Sequence, residues 1–318
     1  MSRIPALLRP GTRRLLRAWG RTGIAPGRYY QAVEAWGRRL DGGTLRCRLF
    51  NGCEVDCRLT EHIQRHIYFF GAYEPIEAHL FERLLAPGMV VVDAGANIGQ
   101  YSLIAGLRVG PTGRVHAFEP VPANFDRLNA HVERNGLSGI VRPNRLALWD
   151  AEADLTMHLD AEDRDDNATD YTLGQGHAEA ADAASADVVS CRTVRLDDYA
   201  RAEGLERLDV IKMDIEGAEL GALQGGIETL RRFRPRLLME INRQRSRQMG
   251  YEPEAIWSLL EPLGYRIWTI GIEPEASGPL DSFDGLERVN VLLHVDDLPA
   301  EILGGWSLKG FMRQYVDI

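Results

Sequence analysis

The chain has 318 residues, 45% hydrophobic and 26% charged, the profile of a folded globular protein and not of a disordered or fibrous one. No apolar run nears the ~20 residues that span a bilayer, and residues 1–10 lack the apolar core and cleavage site of a secretory leader. With four cysteines and no disulfide framework, the expected compartment is the reduced cytoplasm. The net charge of −9 is uneven: residues 1–48 hold eleven arginines against Glu34 and Asp41, a balance of +9, while the rest carries −18, which argues against a nucleic-acid partner.

Residues 1–40 read as Arg-rich helical segments broken at Pro10-Gly11 and Pro26-Gly27. Leu7, Leu8, Leu15, Leu16 and Trp19 form an apolar stripe beside Arg13, Arg14, Arg17 and Arg21. That pattern suits a helix lying on anionic lipid or a helix packed on the main domain; the frequent Gly and Pro favour packing. Residues 44–60 read as a β-hairpin with a three-residue loop, Asn51 to Cys53, setting Leu45 opposite Leu59, Cys47 opposite Cys57 and Leu49 opposite Val55. Its three cysteines lack a fourth ligand at zinc spacing and read as small buried side chains. His62 and His66 stand i, i+4 on a helix but without an H-E-x-x-H context.

Residues 1–70 thus form an N-terminal extension, and 71–318 a second unit with another rhythm. Short apolar runs (Met89–Val92, Val115–Phe118, Val210-Ile211, Leu237–Met239) alternate with helical stretches at about 121–135, 217–231 and 253–262. This predicts an α/β fold, a mostly parallel sheet covered on both faces, with its ligand beyond the carboxyl ends of the strands. An acidic insert at about 160–188 lies between two extended segments, 153–159 and 188–194. Its length suits a substrate lid, with Asn167, Tyr171 and His177 as candidate contacts.

Val90 to Ser102 reads as strand, glycine turn and helix start, with Asp93, Gly95 and Gly99 in a D-x-G-x-x-x-G spacing. The glycines let backbone approach a ligand. The spacing excludes the dinucleotide fingerprint G-x-G-x-x-G, and so disfavours a nicotinamide oxidoreductase. The next strand ends in Phe118-Glu119-Pro120, where a carboxylate can accept both hydroxyls of a ribose. An acid before the turn and an acid at the second strand tip describe a nucleoside joined to an amino-acid-like group, which S-adenosylmethionine satisfies. The alternative for Glu119 is a charge capping the next helix.

These residues, with Tyr73-Glu74-Pro75, Leu196-Asp197-Asp198-Tyr199 and the K-x-D-x-E-G-x-E element Lys212 to Glu219, resemble the FkbM-type methyltransferases, in family order over roughly 70–295. The resemblance implies a class I methyltransferase (Rossmann-like) fold of seven strands, the last antiparallel at Arg288–Val295, and S-adenosylmethionine as cofactor. It also implies an O-methyltransferase acting on a hydroxyl of a sugar, glycolipid or polyketide-type natural product. The cofactor set is then Glu74, Asp93, Gly95, Asn97, Gly99, Glu119, Pro120, Ala147 and Asp214.

Lys212 and Asp214 lie two apart on a strand, so their side chains leave one face, and Glu216 shares that parity if the strand continues. Methyl transfer to an alcohol needs the nucleophile held in line and its proton taken. Asp214 is the residue expected to do this, with Lys212 tuning its charge and Glu216 assisting; a purely structural ion pair is the alternative. Glu219, on the first turn of the next helix, and Glu240, Asn167 and His177 are the candidate substrate contacts. Asp214, Glu240 and Asn242 offer oxygens to a magnesium ion, but no metal set is assigned. Transfer to nitrogen, a non-catalytic cofactor-binding protein and self-association stay open, as does peripheral membrane contact through the Arg-rich start.

Overall fold

The computed structural model describes residues 6–159, 171–173, 188–271 and 277–297, with Lys309 and Phe311. The apolar runs become strands β3 (Val90–Ala94), β4 (Arg114–Phe118), β10 (Val210–Met213) and β11 (Arg236–Asn242). They join β5 (Val141–Asn144), β12 (Arg266–Ile270), β13 (Gly278–Leu280) and β14 (Arg288–His294) in an eight-stranded sheet, ordered β13-β12-β14-β11-β10-β3-β4-β5. β5, β4, β3, β10 and β11 are mutually parallel, and β14 runs antiparallel to β11 and β12. The sheet thus holds the seven strands expected, with the antiparallel one at β14, and β13 is added at one edge. The chain leaves β3 towards β4 on one side and returns through β10 on the other, so a crevice opens at the carboxyl ends of β3 and β10.

The sheet is near-continuously apolar because helices bury both faces. Val91, Val115 and Leu238 pack with Phe81 and Leu84 of α4 (Pro75–Leu84) and Leu103 and Ile104 of α5 (Gln100–Val109). On the other face Val92, Ile211 and Leu237 meet Tyr199 of α7 (Leu196–Ala202), Leu230 of α9 (Ile227–Phe233) and Leu260 of α11 (Glu254–Leu260). Helix α6 (Pro122–Arg134) follows β4, within the predicted 121–135. The predicted helix over 217–231 is two, α8 (Glu219–Gln224) and α9. The break falls at Gly225-Gly226, where Trp149 passes so close that a Cβ on Gly225 would stand 2.0 Å from its carbonyl oxygen. The extended segments flanking the insert form β7 (Asp154–Leu159) and β9 (Val188–Val194), antiparallel to each other, with β6 (Ala147–Leu148) and β8 (Tyr171–Leu173) beside them.

In the N-terminal extension, α1 spans Arg9–Thr22 without a break at Pro10-Gly11. Pro10 sits in the first turn, where the missing N–H has no partner to lose. The expected break at Pro26-Gly27 is present: Gly23 closes α1 in the left-handed conformation, and Pro26 opens α2 (Pro26–Trp36). The hairpin β1 (Leu45–Arg48) and β2 (Glu54–Cys57) forms two residues out of the expected register. Leu45 faces Cys57 and Cys47 faces Val55, because Leu49 N–H bonds to Cys53 O at 2.8 Å and the loop is Phe50–Gly52. A slip of two keeps every side chain on its face. Cys47, Val55 and Cys57 therefore still point inward, sharing one apolar core with α5 and the sheet. Helix α3 (His62–Phe70) carries the chain to α4. No described helix is long and apolar enough to cross a membrane.

Candidate active site

The crevice is walled by the turn after β3. Gly95 (φ 79°), Asn97 (φ 49°) and Gly99 (φ 101°) are left-handed. At Gly95 a Cβ would stand 2.0 Å from Asp214 O, so only glycine lets the ends of β3 and β10 pass this closely. The turn is pinned to β4, with Gly95 and Ala96 N–H donating to Phe118 O at 3.0 and 2.9 Å. Glu119 ties the pieces together. Its Oε2 accepts from Asn97 N–H at 2.8 Å and its Oε1 from Val121 N–H at 2.9 Å, at the start of α6. It thus holds the helix start, as the capping alternative had it, and also lines the crevice. Roughly four acceptor sites on a carboxylate exceed these two backbone donors and the nearby Asn124 amide, leaving capacity for a ribose hydroxyl.

Asp93 takes a different place from the one its motif position suggests. It is fully buried beneath the turn, accepting from Ser102 Oγ at 2.5 Å, and its Oδ1 has no protein partner. It therefore lends charge through the floor of the crevice. Asn97, Gly95, Pro120, Ala147 and Asp214 line the crevice, with Gly99 at the adjoining helix start.

The second wall is an ion cluster. Lys212 Nζ bonds Asp214 Oδ2 at 2.9 Å and lies 4.6 Å from the Tyr101 ring centroid. Burial disfavours the ammonium, but Asp214, Glu74 and Asp93 outweigh it and raise its pKa. Burial likewise works to raise Asp214, and Lys212 wins, holding it below the usual carboxylate range. Glu74, left-handed at the cap of α4 (φ 46°), is pushed up to about 8 by burial and by Asp214 and Glu77. Glu74 and Glu77 both face the Asn290 amide, at 3.4 and 3.1 Å. Burial also raises Asp93 to about 6 and Glu119 to about 7. One ammonium among Asp93, Glu74, Glu77 and Asp214 leaves an excess of carboxylates, an environment that favours a cationic ligand.

The other predicted residues are spread around this centre. β10 ends at Met213, so the strand parity assumed for Glu216 does not continue; Glu216 is left-handed (φ 54°) and lines the crevice, paired with Arg245 at 3.2 Å. Glu219 is buried at the start of α8. Its Oε1 accepts from Ile215 and Gly217 N–H, its Oε2 from Tyr251 OH at 3.2 Å, and burial raises it to about 7. It shapes the loop that presents Asp214. Glu240 is paired to Arg288 Nε at 2.5 Å, and it is Arg288 that lines the crevice. The magnesium set is not assembled: Asp214 faces Lys212, Glu240 faces Arg288, and Asn242 Oδ1 caps α10 (Arg243–Gln248) by accepting from Arg245 N–H. Asn167 and His177 lie outside the described residues, as does the Tyr171 side chain.

Several lining residues escape a motif reading. Gln100, the first residue of α5, clamps Tyr73: its Oε1 accepts from Tyr73 N–H at 2.7 Å and its Nε2 donates to Tyr73 O at 2.9 Å. Tyr73, His62 and Ile63 also line the crevice, supplied by the extension and the segment after it. Among the described residues, Glu34, His62 and His66 form the one trio of possible metal-binding side chains. A guanidinium already occupies it: Arg65 Nη2 donates to Glu34 at 3.1 Å and sits 3.2 Å from His62 Nδ1. Against the pull of burial, His62, His66 and Arg65 hold the Glu34 carboxyl well below its ordinary value. The signal for this side was the Tyr73-Glu74-Pro75 stretch, since Gln100 and Tyr101 directly follow Gly99.

The chain is similar in sequence to known methyltransferases. The family model for the methyltransferase FkbM domain matches residues 93–267. Over 158 residues, 44% of this chain and 60% of the relative, the chain is 33% identical to the 31-O-demethyl-FK506 methyltransferase FkbM of Streptomyces tacrolimicus. It is 29% identical to the 2-O-methyltransferase NoeI of Sinorhizobium fredii, over 50% of this chain and 66% of the relative. It thus spans less than two thirds of either. A solved methyltransferase FkbM from Methylobacillus flagellatus aligns with 73% of this chain and 55% of its own, at 16% identity and a TM-score of 0.40.

Proposed function

Because the chain belongs to the FkbM methyltransferase family, whose cofactor is S-adenosylmethionine, we propose that it moves the cofactor's methyl group to a hydroxyl oxygen of a glycan, glycolipid or polyketide-type acceptor. The observation that carries the reading is the position of Asp214, which lines the crevice with its backbone against Gly95 and its carboxylate held by Lys212. The names of the two relatives, each an O-methyltransferase, support oxygen as the acceptor atom.

The bound cofactor supplies an electrophilic methyl on a sulfonium, whose positive charge is lost on transfer. The chain's residues hold and align. Glu119 would hold the ribose hydroxyls, and the glycine turn would let the backbone come close to the cofactor. The carboxylates of Asp214 and, beneath the turn, Asp93 favour the cationic end of the ligand. Asp214 accepts a hydrogen bond from the acceptor hydroxyl and fixes its oxygen in line with the methyl. A carboxylate kept ionised by Lys212 is a weak base, yet it suffices. An alcohol oxygen becomes strongly acidic as its new carbon–oxygen bond forms, so the proton passes to Asp214 late in the displacement.

The test pairs isotope-labelled S-adenosylmethionine with a panel of hydroxylated glycans and polyketide alcohols, reading the product methyl by NMR. A methoxy signal made by the wild type is expected to fall by about 10²–10⁴ in rate in Asp214→Asn, with S-adenosylhomocysteine binding retained. A methyl on nitrogen would overturn the hydroxyl reading, and full turnover in Asp214→Asn would remove Asp214 from the mechanism.

A further inference from the structure

Residues 1–33 contain seven arginines and no Asp or Glu. Six of the seven large apolar side chains exposed among the described residues fall between Leu7 and Trp36. Both properties meet on α1 together with the 3-10 turn Ala6–Leu8 that leads into it. One side of the helix is anchored: Trp19 packs edge-on against Tyr29 at 5.6 Å, Arg13 Nη1 donates to Leu40 O at 3.0 Å, and Leu16 joins the cluster of Tyr29, Phe69 and Phe70. The other side faces out. Leu15 is 73% exposed, and Leu8, the N-cap of α1 two helical turns before it, is 60% exposed, with Leu7 of the preceding turn 94% exposed. Arg14 and Arg21 form a parallel exposed row one position away.

We propose that this face of α1 docks on an anionic membrane surface, the leucines entering the headgroup boundary and the arginines meeting lipid phosphates. The charge complementarity selects this occupant. Two copies paired symmetrically through this face would bring two carboxylate-free, arginine-rich surfaces together. A nucleic acid would place its phosphates against the exposed leucines, whereas a headgroup boundary takes up leucines and arginines together. The helix is folded and held by its inner side, so docking need not order it first. The face also stands one helix away from the crevice, since α1 packs on α3, which places His62 and Ile63 in the crevice wall. Docking there would bring an acceptor carried by lipid to the enzyme. The membrane contact itself is independent of methyl transfer.

The experiment is co-sedimentation of the full chain with phosphatidylcholine vesicles, with and without phosphatidylglycerol. Binding is expected to the phosphatidylglycerol vesicles alone and to weaken with salt. Each arginine near an anionic surface is worth about five-fold in partition, so Arg14→Gln with Arg21→Gln should lower binding about 25-fold. Leu15→Asp should lower it about ten-fold or more. All three positions are exposed, so unchanged unfolding midpoints and S-adenosylhomocysteine affinity should accompany the loss. No binding of the wild type to anionic vesicles, or binding that ignores both variants, overturns the proposal. So does self-association in sedimentation velocity that Leu15→Asp abolishes, which would give the face to a second copy.

Discussion

Gly95→Ala isolates the closest backbone approach in the site. The added Cβ would stand 2.0 Å from Asp214 O, where real Cβ atoms keep beyond 3.0 Å, so the turn or the end of β10 must move by at least 1.0 Å. The left-handed φ of 79° adds strain of about 1–2 kcal/mol, and overpacking adds about 1–3 kcal/mol. Together these cost about 3 kcal/mol, a fall in unfolding midpoint of roughly 6 °C or more. The displaced atoms belong to the residue that lines the reaction centre, so S-adenosylhomocysteine affinity should fall as well. A shift of ~1 Å there also costs about 10² in rate. Gly136→Ala is the control: its φ is 67°, but its Cβ would meet nothing within 4 Å, so it bears the strain alone. Calorimetry and ligand titration of both variants separate the terms. If Gly95→Ala matches Gly136→Ala in midpoint and affinity, the close approach has no part in building the site.

The raised carboxyls give a signed pH dependence. Glu119 and Glu219 at about 7 and Glu74 at about 8 keep protons in the folded chain that the unfolded chain has released by about pH 5. Their contribution is whole below the unfolded values and is lost as pH rises through 7 to 8, so the ligand-free midpoint should fall between pH 6.5 and about 9; Glu119→Gln should flatten that fall, and a midpoint that climbs over this range would contradict the assignment. Glu34→Gln leaves the fully buried Arg65 guanidinium without its carboxylate and should cost about 3 kcal/mol in denaturant unfolding, partly restored by Arg65→Met; an unchanged stability would show the pair to be idle. Tyr29→Phe removes the buried bond from its hydroxyl to Phe69 O, 2.8 Å, and should lower stability by about 1 kcal/mol with S-adenosylhomocysteine affinity unchanged.

What the sequence disclosed follows from what each feature depends on. Strands β3, β4, β10 and β11 were legible because sheets buried on both faces need apolar runs. Strand β5, Val-Arg-Pro-Asn, was not, since it lies at the edge and its pattern resembles a loop. The hairpin's faces were legible from alternation, but its register depended on which three residues turn, and that was settled by the bond from Leu49 to Cys53. The break between α8 and α9 depends on Trp149, 76 residues before Gly225, and no local pattern carries a distant contact. At the site, residues adjacent in sequence were found together: Gly95, Asn97, Lys212 and Asp214. Charge partners from other strands or helices, such as Arg288 for Glu240 and Arg65 for Glu34, were invisible because their pairing is purely tertiary.

Both ends of the eight-stranded sheet carry a proline, Pro143 in β5 and Pro279 in β13. Ile140 and Asn144 give their carbonyls to β4, so by alternation Pro143 faces the open side, where a further strand would look for an N–H. In the three-residue β13, Pro279 removes one of three donors. A sheet bounded this way offers a poor template for growth. Crowded copies of the chain, or copies caught half-folded with an edge of this sheet bare, are thereby turned away from joining strand to strand through it, so the large sheet is kept from serving as a seam between molecules.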